Sequence, residues 1–159
     1  MMNITNLPEF IMNFGIPGSG KSTYTRRNNP NKLVVSPDSI RKEMFGNVSE
    51  QKNNPLIWAR AIGRVEGALL SKKGVILDAV NLEKEKWIDM VSSLPKCYKI
   101  AWVFNVHPAL AFDRIQRDLF LRKDRCNVPR EVVFEYYKLF EDTVSILPKY
   151  FDKVIMINS

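Results

Sequence analysis

A glycine-rich stretch over residues 15–23, Gly-Ile-Pro-Gly-Ser-Gly-Lys-Ser-Thr, constrains the fold more than any other part of this chain. It follows the apolar run Phe-Ile-Met-Asn-Phe at residues 10–14, which predicts a buried strand. The glycines permit a tight turn, and residues 21–27 have helical features. The pattern G-x-x-x-x-G-K-[ST] in this context predicts a strand, a phosphate-binding turn and a helix in succession.

The same stretch carries groups suited to a nucleoside triphosphate and a metal ion. We expect the nucleotide site to comprise Gly15, Gly18, Ser19, Gly20, Lys21, Ser22 and Thr23. Lys21, expected on the loop surface, would reach the β- and γ-phosphates of ATP, and the Ser22 hydroxyl would bind Mg²⁺. The alternative is a glycine-rich turn that carries a lysine and a serine by chance.

Further apolar runs alternate with helical segments along the rest of the chain. Strands are predicted at residues 10–14, 32–36, 74–78, 100–104 and 154–157. Helices are predicted at residues 21–27, 38–45, 55–71, 83–92, 108–121 and 129–140. This alternation favours one α/β domain over residues 1–159, with a five-stranded, mainly parallel sheet, helices on both faces and a helical lid. Ligands are expected at the carboxyl ends of the strands.

Composition narrows the class of protein. The 45% hydrophobic and 26% charged content of the 159 residues is typical of a folded soluble domain. The two cysteines cannot form a disulfide framework, and no apolar run approaches the ~20 residues of a membrane span. We therefore expect a cytoplasmic protein without a membrane partner. The net charge of +7 favours a polyanionic partner, although a merely basic, soluble surface has the same composition.

Asp38 and Arg41 follow the second predicted strand, within Ser-Pro-Asp-Ser-Ile-Arg at residues 36–41. Three residues apart on a helix, their side chains share a face. The carboxylate could take a proton from an attacking hydroxyl while the guanidinium steadies a phosphate or the carboxylate itself. The alternative is an aspartate that caps the helix beside a solvent-exposed arginine.

Asp78 closes the third predicted strand, and Asn81 follows in the same loop. An apolar strand that ends in aspartate is typical of the second magnesium-associated carboxylate of phosphate-loop enzymes. We expect Asp78 and Ser22 to be the metal ligands. An aspartate that only turns the chain would have the same place in the sequence.

Arg114, Arg117, Arg122 and Arg125 fall in one sector if the helix that starts near residue 108 continues through them. Such a face would suit a lid that stabilises the charge of a transferring phosphoryl group. The alternative is an ordinary basic, solvated helix. His107 has no evident catalytic partner and is expected to be structural. The aromatic residues, including Trp58, Trp87 and Trp102, are expected to fill the core rather than to stack on bases.

Together, these motifs resemble the P-loop kinase family that includes the kinase domain of phage polynucleotide 5′-kinase. The resemblance rests on residues 15–23, 36–41 and 76–81, the arginine-bearing segment up to residue 129, and residues 151–155. It implies that Lys21 and Ser22 bind ATP and metal. It also implies that Asp38 activates a 5′-hydroxyl and Arg41 holds the acceptor's phosphate, while Arg125 and Arg122 contact the donor phosphates.

The resemblance implies transfer of the γ-phosphate of ATP to the 5′-hydroxyl end of DNA or RNA. Because related kinases phosphorylate sugars, antibiotics and nucleotides, a small-molecule or nucleoside kinase is the alternative. A nucleotide-binding regulatory module without catalytic activity is a third possibility. The catalytic residues implied are Lys21, Asp38, Arg41, Asp78, Arg122 and Arg125.

Overall fold

Five parallel strands form the centre of the molecule. The computed structural model describes residues 6–46, 53–121, 123 and 125–158. The strands are β1 (Glu9–Phe14), β2 (Leu33–Val35), β3 (Val75–Leu77), β4 (Tyr98–Phe104) and β5 (Lys153–Ile157). They lie in the order β2-β3-β1-β4-β5, and every neighbouring pair is parallel. The predicted α/β fold is therefore confirmed, with a sheet that is parallel throughout.

Seven helices occur in the described residues, and they connect the strands. They are α1 (Lys21–Arg27), α2 (Pro37–Phe45), α3 (Asn54–Leu70), α4 (Lys84–Ser92), α5 (Pro108–Phe120), α6 (Arg130–Val144) and α7 (Leu147–Tyr150). The sequence did not predict α7, because a single turn is too short to show a periodic pattern. Among the described residues, no helix has the length and apolar character needed to cross a membrane.

The two faces of the sheet bury different side chains of the same strands. In β1, Phe10, Met12 and Phe14 join a large apolar cluster that includes residues of α3, α4, α5 and α6. Ile11 points to the opposite face, where a smaller cluster packs against α1. Tyr24 of that helix makes an edge contact with the ring of Trp102, with centroids 5.1 Å apart. Burial on both faces is what a parallel sheet requires.

Two helix ends differ from the sequence prediction. At α2, the capping residue is Ser36, whose side chain accepts a hydrogen bond from the Ser39 backbone N–H at 3.2 Å. Asp38 is therefore not the cap, and its carboxylate is available for other contacts. Helix α5 ends at Phe120, so the arginine face does not continue along one helix to Arg125. At its start, His107 Nδ1 accepts from the Ala109 N–H at 3.1 Å, the structural role predicted for it.

The strand register brings three chain segments to one edge of the sheet. Val35 pairs with Leu77, Leu77 with Met12, and Phe14 with Val103. The residues that follow β1, β2 and β3 therefore lie side by side at the carboxyl end of the sheet. These are the glycine-rich loop, the start of α2, and the segment that begins at Asp78.

Candidate active site

The glycine-rich loop makes a tight turn between β1 and α1. Gly18 and Gly20 have φ values of 84° and 91°, which side-chain-bearing residues rarely adopt. A Cβ on Gly18 would also collide with the Ala111 carbonyl oxygen in α5. Within the turn, the Ser19 N–H donates to the Ile16 carbonyl oxygen at 3.1 Å. Positive φ and close packing against α5 together explain why glycine is needed here.

Lys21 is buried, contrary to the expectation of a surface lysine, with 7% of the residue exposed. Its Nζ donates to the Ile16 carbonyl oxygen at 3.4 Å. The pKa of Lys21 is lowered to about 8, mainly by burial and also by the charge of Arg125, while Asp78 and Asp38 act in the opposite direction. The ammonium group therefore lies within electrostatic reach of three of the other ionised side chains predicted for the site, Asp78, Arg125 and Asp38.

A small cavity of about 100 Å³ lies against the loop and the first turn of α1. It is lined by Pro17, Gly18, Gly20, Lys21, Ser22, Thr23 and Arg125. Gly15 and Ser19 do not line it. A Cβ on Gly15 would lie 2.5 Å from Ser19 Oγ, so those two residues pack against each other beneath the loop. The cavity thus combines two cationic side chains with a hydroxyl-bearing helix start, a combination suited to phosphate.

Asp78 is held in place by a buried asparagine that the sequence analysis did not single out. Asn13 Nδ2 donates to Asp78 Oδ1 at 2.8 Å and to Thr25 Oγ1 at 3.2 Å. Its Oδ1 accepts from the Ala79 N–H at 3.2 Å, and Asn81 Nδ2 donates to its backbone oxygen at 2.8 Å. Asn13 therefore ties α1 to the segment after β3 and orients the carboxylate.

Asp38 and Arg41 form an ion pair on α2, and their two side chains differ greatly in solvent exposure. The Asp38 side chain is 69% exposed, whereas that of Arg41 is 9% exposed. The guanidinium is anchored from its far side by Asn54 Oδ1, which accepts from Nε at 3.2 Å and from Nη2 at 2.8 Å. This arrangement fixes a buried cation beneath an accessible carboxylate. Asn54 is the first residue of α3, one residue before the start of the helix predicted from the sequence.

A larger cavity of about 770 Å³ adjoins this ion pair, within the usual size range of small-molecule sites. Its polar wall contains Asp38, Arg41, Asn54 and Asn81, while most of the remaining lining is apolar or aromatic. Pro17 and Arg125 line both cavities. The two spaces therefore share a boundary, with the phosphate loop on one side and Asp38 on the other.

Arg125 lies in the connection between α5 and α6 and is held by an ion pair. Its Nη1 donates to Asp118 Oδ2 at 2.7 Å, and both side chains are largely buried. Arg114 points to the phosphate loop, where its Nη1 donates to the Gly18 carbonyl oxygen at 3.4 Å. Arg117 is exposed, and Arg122 lies outside the described residues. The predicted arginine face is thus divided among different environments.

The residues present suit magnesium that is bound partly by substrate. No group of three or more His, Cys, Asp or Glu side chains able to hold a metal occurs in the described parts of the chain. Mg²⁺ in kinases usually takes one or two protein oxygens together with substrate phosphates and water. The exposed Ser22 hydroxyl at the small cavity and the oriented Asp78 carboxylate can supply those oxygens.

Comparison with known proteins identifies the family. The chain belongs to the AAA domain family, which it matches over residues 10–143, and its fold is that of a P-loop kinase domain. A search of curated protein sequences found no match.

Solved structures share this fold. A chain of the Pnkp1/Rnl/Hen1 RNA repair complex superposes with a TM-score of 0.75 at 20% identity, covering 88% of this chain and 46% of that one. A second Pnkp1/Rnl/Hen1 structure gives 0.64 at 27% identity, covering 70% and 40%. Shikimate kinase from Acinetobacter baumannii, in complex with shikimate, gives 0.59 at 16% identity, covering 96% and 85%. This chain spans less than half of the repair-complex chains.

Proposed function

We propose that this protein transfers the γ-phosphate of ATP to the 5′-hydroxyl end of a polynucleotide. The observation that carries the proposal is the exposed Asp38 carboxylate, which is held by Arg41 in a cavity that adjoins the phosphate loop. A hydroxyl beside Asp38 can therefore meet a phosphoryl group bound at Lys21. The P-loop kinase fold supports the phosphotransferase activity itself.

In this proposal Asp38 is the general base. Its carboxylate accepts the proton of the attacking hydroxyl as the new oxygen–phosphorus bond forms and the bond to the leaving ADP breaks. Arg41 orients that carboxylate. A guanidinium has five N–H donors, so it can hold Asp38 and Asn54 and still donate to a phosphate oxygen of the acceptor strand.

The donor side uses the loop residues and the α5–α6 connection. Lys21 and Arg125, which both line the small cavity, would stabilise negative charge on the transferring phosphoryl group, and Arg122 is assigned the same role from the sequence. Ser22 and Asp78 would hold Mg²⁺, which neutralises charge on the β- and γ-phosphates when bound. The assigned catalytic residues are therefore Lys21, Asp38, Arg41, Asp78, Arg122 and Arg125.

Two further observations support a polynucleotide acceptor. The net charge of +7 favours attraction of a polyanion. The structures that share this fold include a chain of the Pnkp1/Rnl/Hen1 RNA repair complex, which associates the fold with an assembly that acts in RNA repair. The fold also occurs in shikimate kinase, so a small hydroxylated acceptor is the second candidate.

The deciding experiment offers labelled γ-phosphate to several acceptors in parallel: 5′-hydroxyl DNA, 5′-hydroxyl RNA, nucleosides, deoxynucleotides and sugars. Label on the oligonucleotides supports the proposal. Label only on a small molecule contradicts it and leaves a small-molecule kinase. ADP release that no acceptor stimulates would instead indicate a regulatory nucleotide-binding module.

The role of Asp38 is tested by Asp38→Asn, with Asp89→Asn as the control on the exposed surface of α4. The first variant should lose roughly 10²–10⁴-fold in kcat while it keeps its affinity for ATP, since only the proton acceptor is lost. The control should match the wild type. A main effect of Asp38→Asn on ATP affinity would place this carboxylate on the donor side instead.

A further inference from the structure

One wall of the large cavity is a single face of α3. Asn54, Trp58 and Ile62 are spaced by four residues, so their side chains lie above one another, and all three line the cavity. Asn54 accepts two hydrogen bonds from Arg41, which fixes the polar end of this wall. Trp58 lies one turn further, at a rise of about 6 Å along the helix axis.

Trp58 differs from the other two tryptophans in its surroundings. Trp87 packs against Phe14 and Phe151, and Trp102 against Tyr24, and both indole rings are buried. Trp58 is only half-buried and packs against the large apolar cluster as a partly buried residue. Trp87 also lines the cavity, but it is only 3% exposed and is held by its aromatic neighbours, whereas Trp58 keeps exposed surface there. The expectation that all three fill the core is therefore incomplete.

A hydroxyl and a phosphate would occupy only the polar end of the cavity. The rest of the lining contains the polar or charged residues Asn81, Glu83, Lys86 and Arg125, but most of it is apolar or aromatic and includes Leu82, Met90, Val128 and Tyr136. Apolar and aromatic walls favour a flat ring over a hydrated sugar. In a 5′-hydroxyl strand, the ring nearest to the reacting hydroxyl and the first phosphate is the 5′-terminal base.

We infer that Trp58 is a stacking platform for the 5′-terminal base of the acceptor strand, an inference that rests on the proposed polynucleotide kinase activity. Asp38 takes the hydroxyl proton and Arg41 the first backbone phosphate, while the base lies against the indole one turn along α3. Stacking on a π-face tolerates every base, so Trp58 would set a requirement for a base without sequence preference.

The experiment compares two 5′-hydroxyl oligonucleotides that differ only at the 5′-terminal residue, which carries a base in one and is abasic in the other. For the wild type, KM should be on the order of 5- to 100-fold higher for the abasic strand. In Trp58→Leu, which keeps an apolar side chain for packing, KM for both strands should equal the wild-type value on the abasic strand. The KM for ATP should not change.

Two further variants test whether the effect is specific to the aromatic ring of Trp58. Trp58→Phe retains a π-face and should restore most of the preference for the base. Leu56→Ala, on the exposed side of the same helix, should behave as the wild type. A wild type without preference, or a Trp58→Leu variant that retains it, overturns the inference while polynucleotide phosphorylation stands. Failure of the wild type to phosphorylate the base-bearing strand overturns both.

Discussion

Lys21 is buried, although its proposed role in binding the phosphates of ATP requires a positive charge. The pKa of Lys21 is lowered to about 8 mainly because burial removes the ammonium from water. The neighbouring carboxylates offset this effect only in part. A bound triphosphate would supply the missing negative charge. The ligand-free protein therefore holds this residue in an electrostatically unfavourable state that ATP would relieve.

Replacement of this lysine should have opposite effects on stability and activity. Between pH 8 and the unfolded-state value of 10.5, the unfolded chain binds more protons at this position than the folded chain does. The cost of burying the charge is thus fully present below pH 8 and disappears above 10.5. Lys21→Met should raise the free energy of unfolding at pH 7 by up to about 3 kcal/mol while abolishing phosphoryl transfer.

Denaturant titrations of both proteins between pH 7 and 9.5 check the first effect, since the difference in unfolding free energy should shrink as pH rises. ATP affinity provides a second readout. In the wild type it should fall above pH 8, by at most about tenfold per pH unit, and Lys21→Met should lack this dependence. A variant with unchanged turnover would contradict the role of Lys21.

Individual residues also show how much of the candidate site can be predicted from the sequence. Lys21, Asp38, Arg41 and Asp78 can be proposed from the sequence because each carries charge at a recognisable place after a predicted strand. Asn13 was missed, although a polar residue within an apolar strand run is a usable indication of a buried hydrogen-bonding role. Its partners, up to 68 residues away, are not visible in the sequence because they depend on how β1 and β3 pair.

At the scale of elements, the phosphate loop depends on α5 as well as on its own glycines. Gly18→Ala would add the strain of a positive φ to a collision with the backbone of α5. Gly46→Ala is a matched control, because Gly46 has a φ of 71° and no atom of the described residues lies within 4 Å of the added Cβ. The control should cost about 1–2 kcal/mol from backbone strain alone.

Gly18→Ala should cost roughly 2–5 kcal/mol, since overpacking adds about 1–3 kcal/mol to that strain. It should also weaken ATP binding, whereas Gly46→Ala should not. Chemical denaturation and ATP titration of the two variants provide the measurement. Equal losses of stability would mean that contact between the loop and α5 is unimportant.

The second prediction at this scale concerns Arg125, which lies in the connection between α5 and α6. Arg125→Ala should lower kcat by roughly 10²–10³-fold, the effect typical of losing one group that stabilises charge in the transition state. Asp118→Asn should have a smaller effect, because it leaves the cation in place but weakens its anchor. Arg117→Ala, an exposed change on α5, is the control.

Steady-state kinetics on these three variants, with Arg122→Ala alongside, would test whether the arginines act as a lid. Wild-type turnover in both Arg125→Ala and Arg122→Ala would show that these arginines only form part of a solvated surface.

The arginines can be identified in the sequence, but their arrangement in the fold cannot. A helical period extends the face to residue 125, whereas α5 ends at Phe120 and the pairing with Asp118 places Arg125 over the cavities.

For the whole molecule, local patterns were sufficient to predict the fold class. Short apolar runs separated by helices leave few arrangements other than a parallel sheet with its ligand site at the carboxyl edge. The residues that line the large cavity were harder to predict from the sequence. Trp58 and Asn54 line it only because α3 packs beside α2, and no local pattern in the sequence specifies that packing.

The net charge of +7 leads to a prediction for the molecule as a whole. If the acceptor is a single strand, log affinity should fall by about 0.7 per neutralised phosphate for each tenfold rise in salt. Titrations of 5′-hydroxyl strands of increasing length, each across a range of KCl concentrations, should give a slope that steepens with length. The slope should become constant once the strand is longer than the stretch that the protein contacts. A nucleoside should show almost no slope, because it carries no phosphate to release counterions. Slopes independent of strand length would mean that only the terminal nucleotide is bound, and a slope near zero for every strand would contradict a polyanionic acceptor.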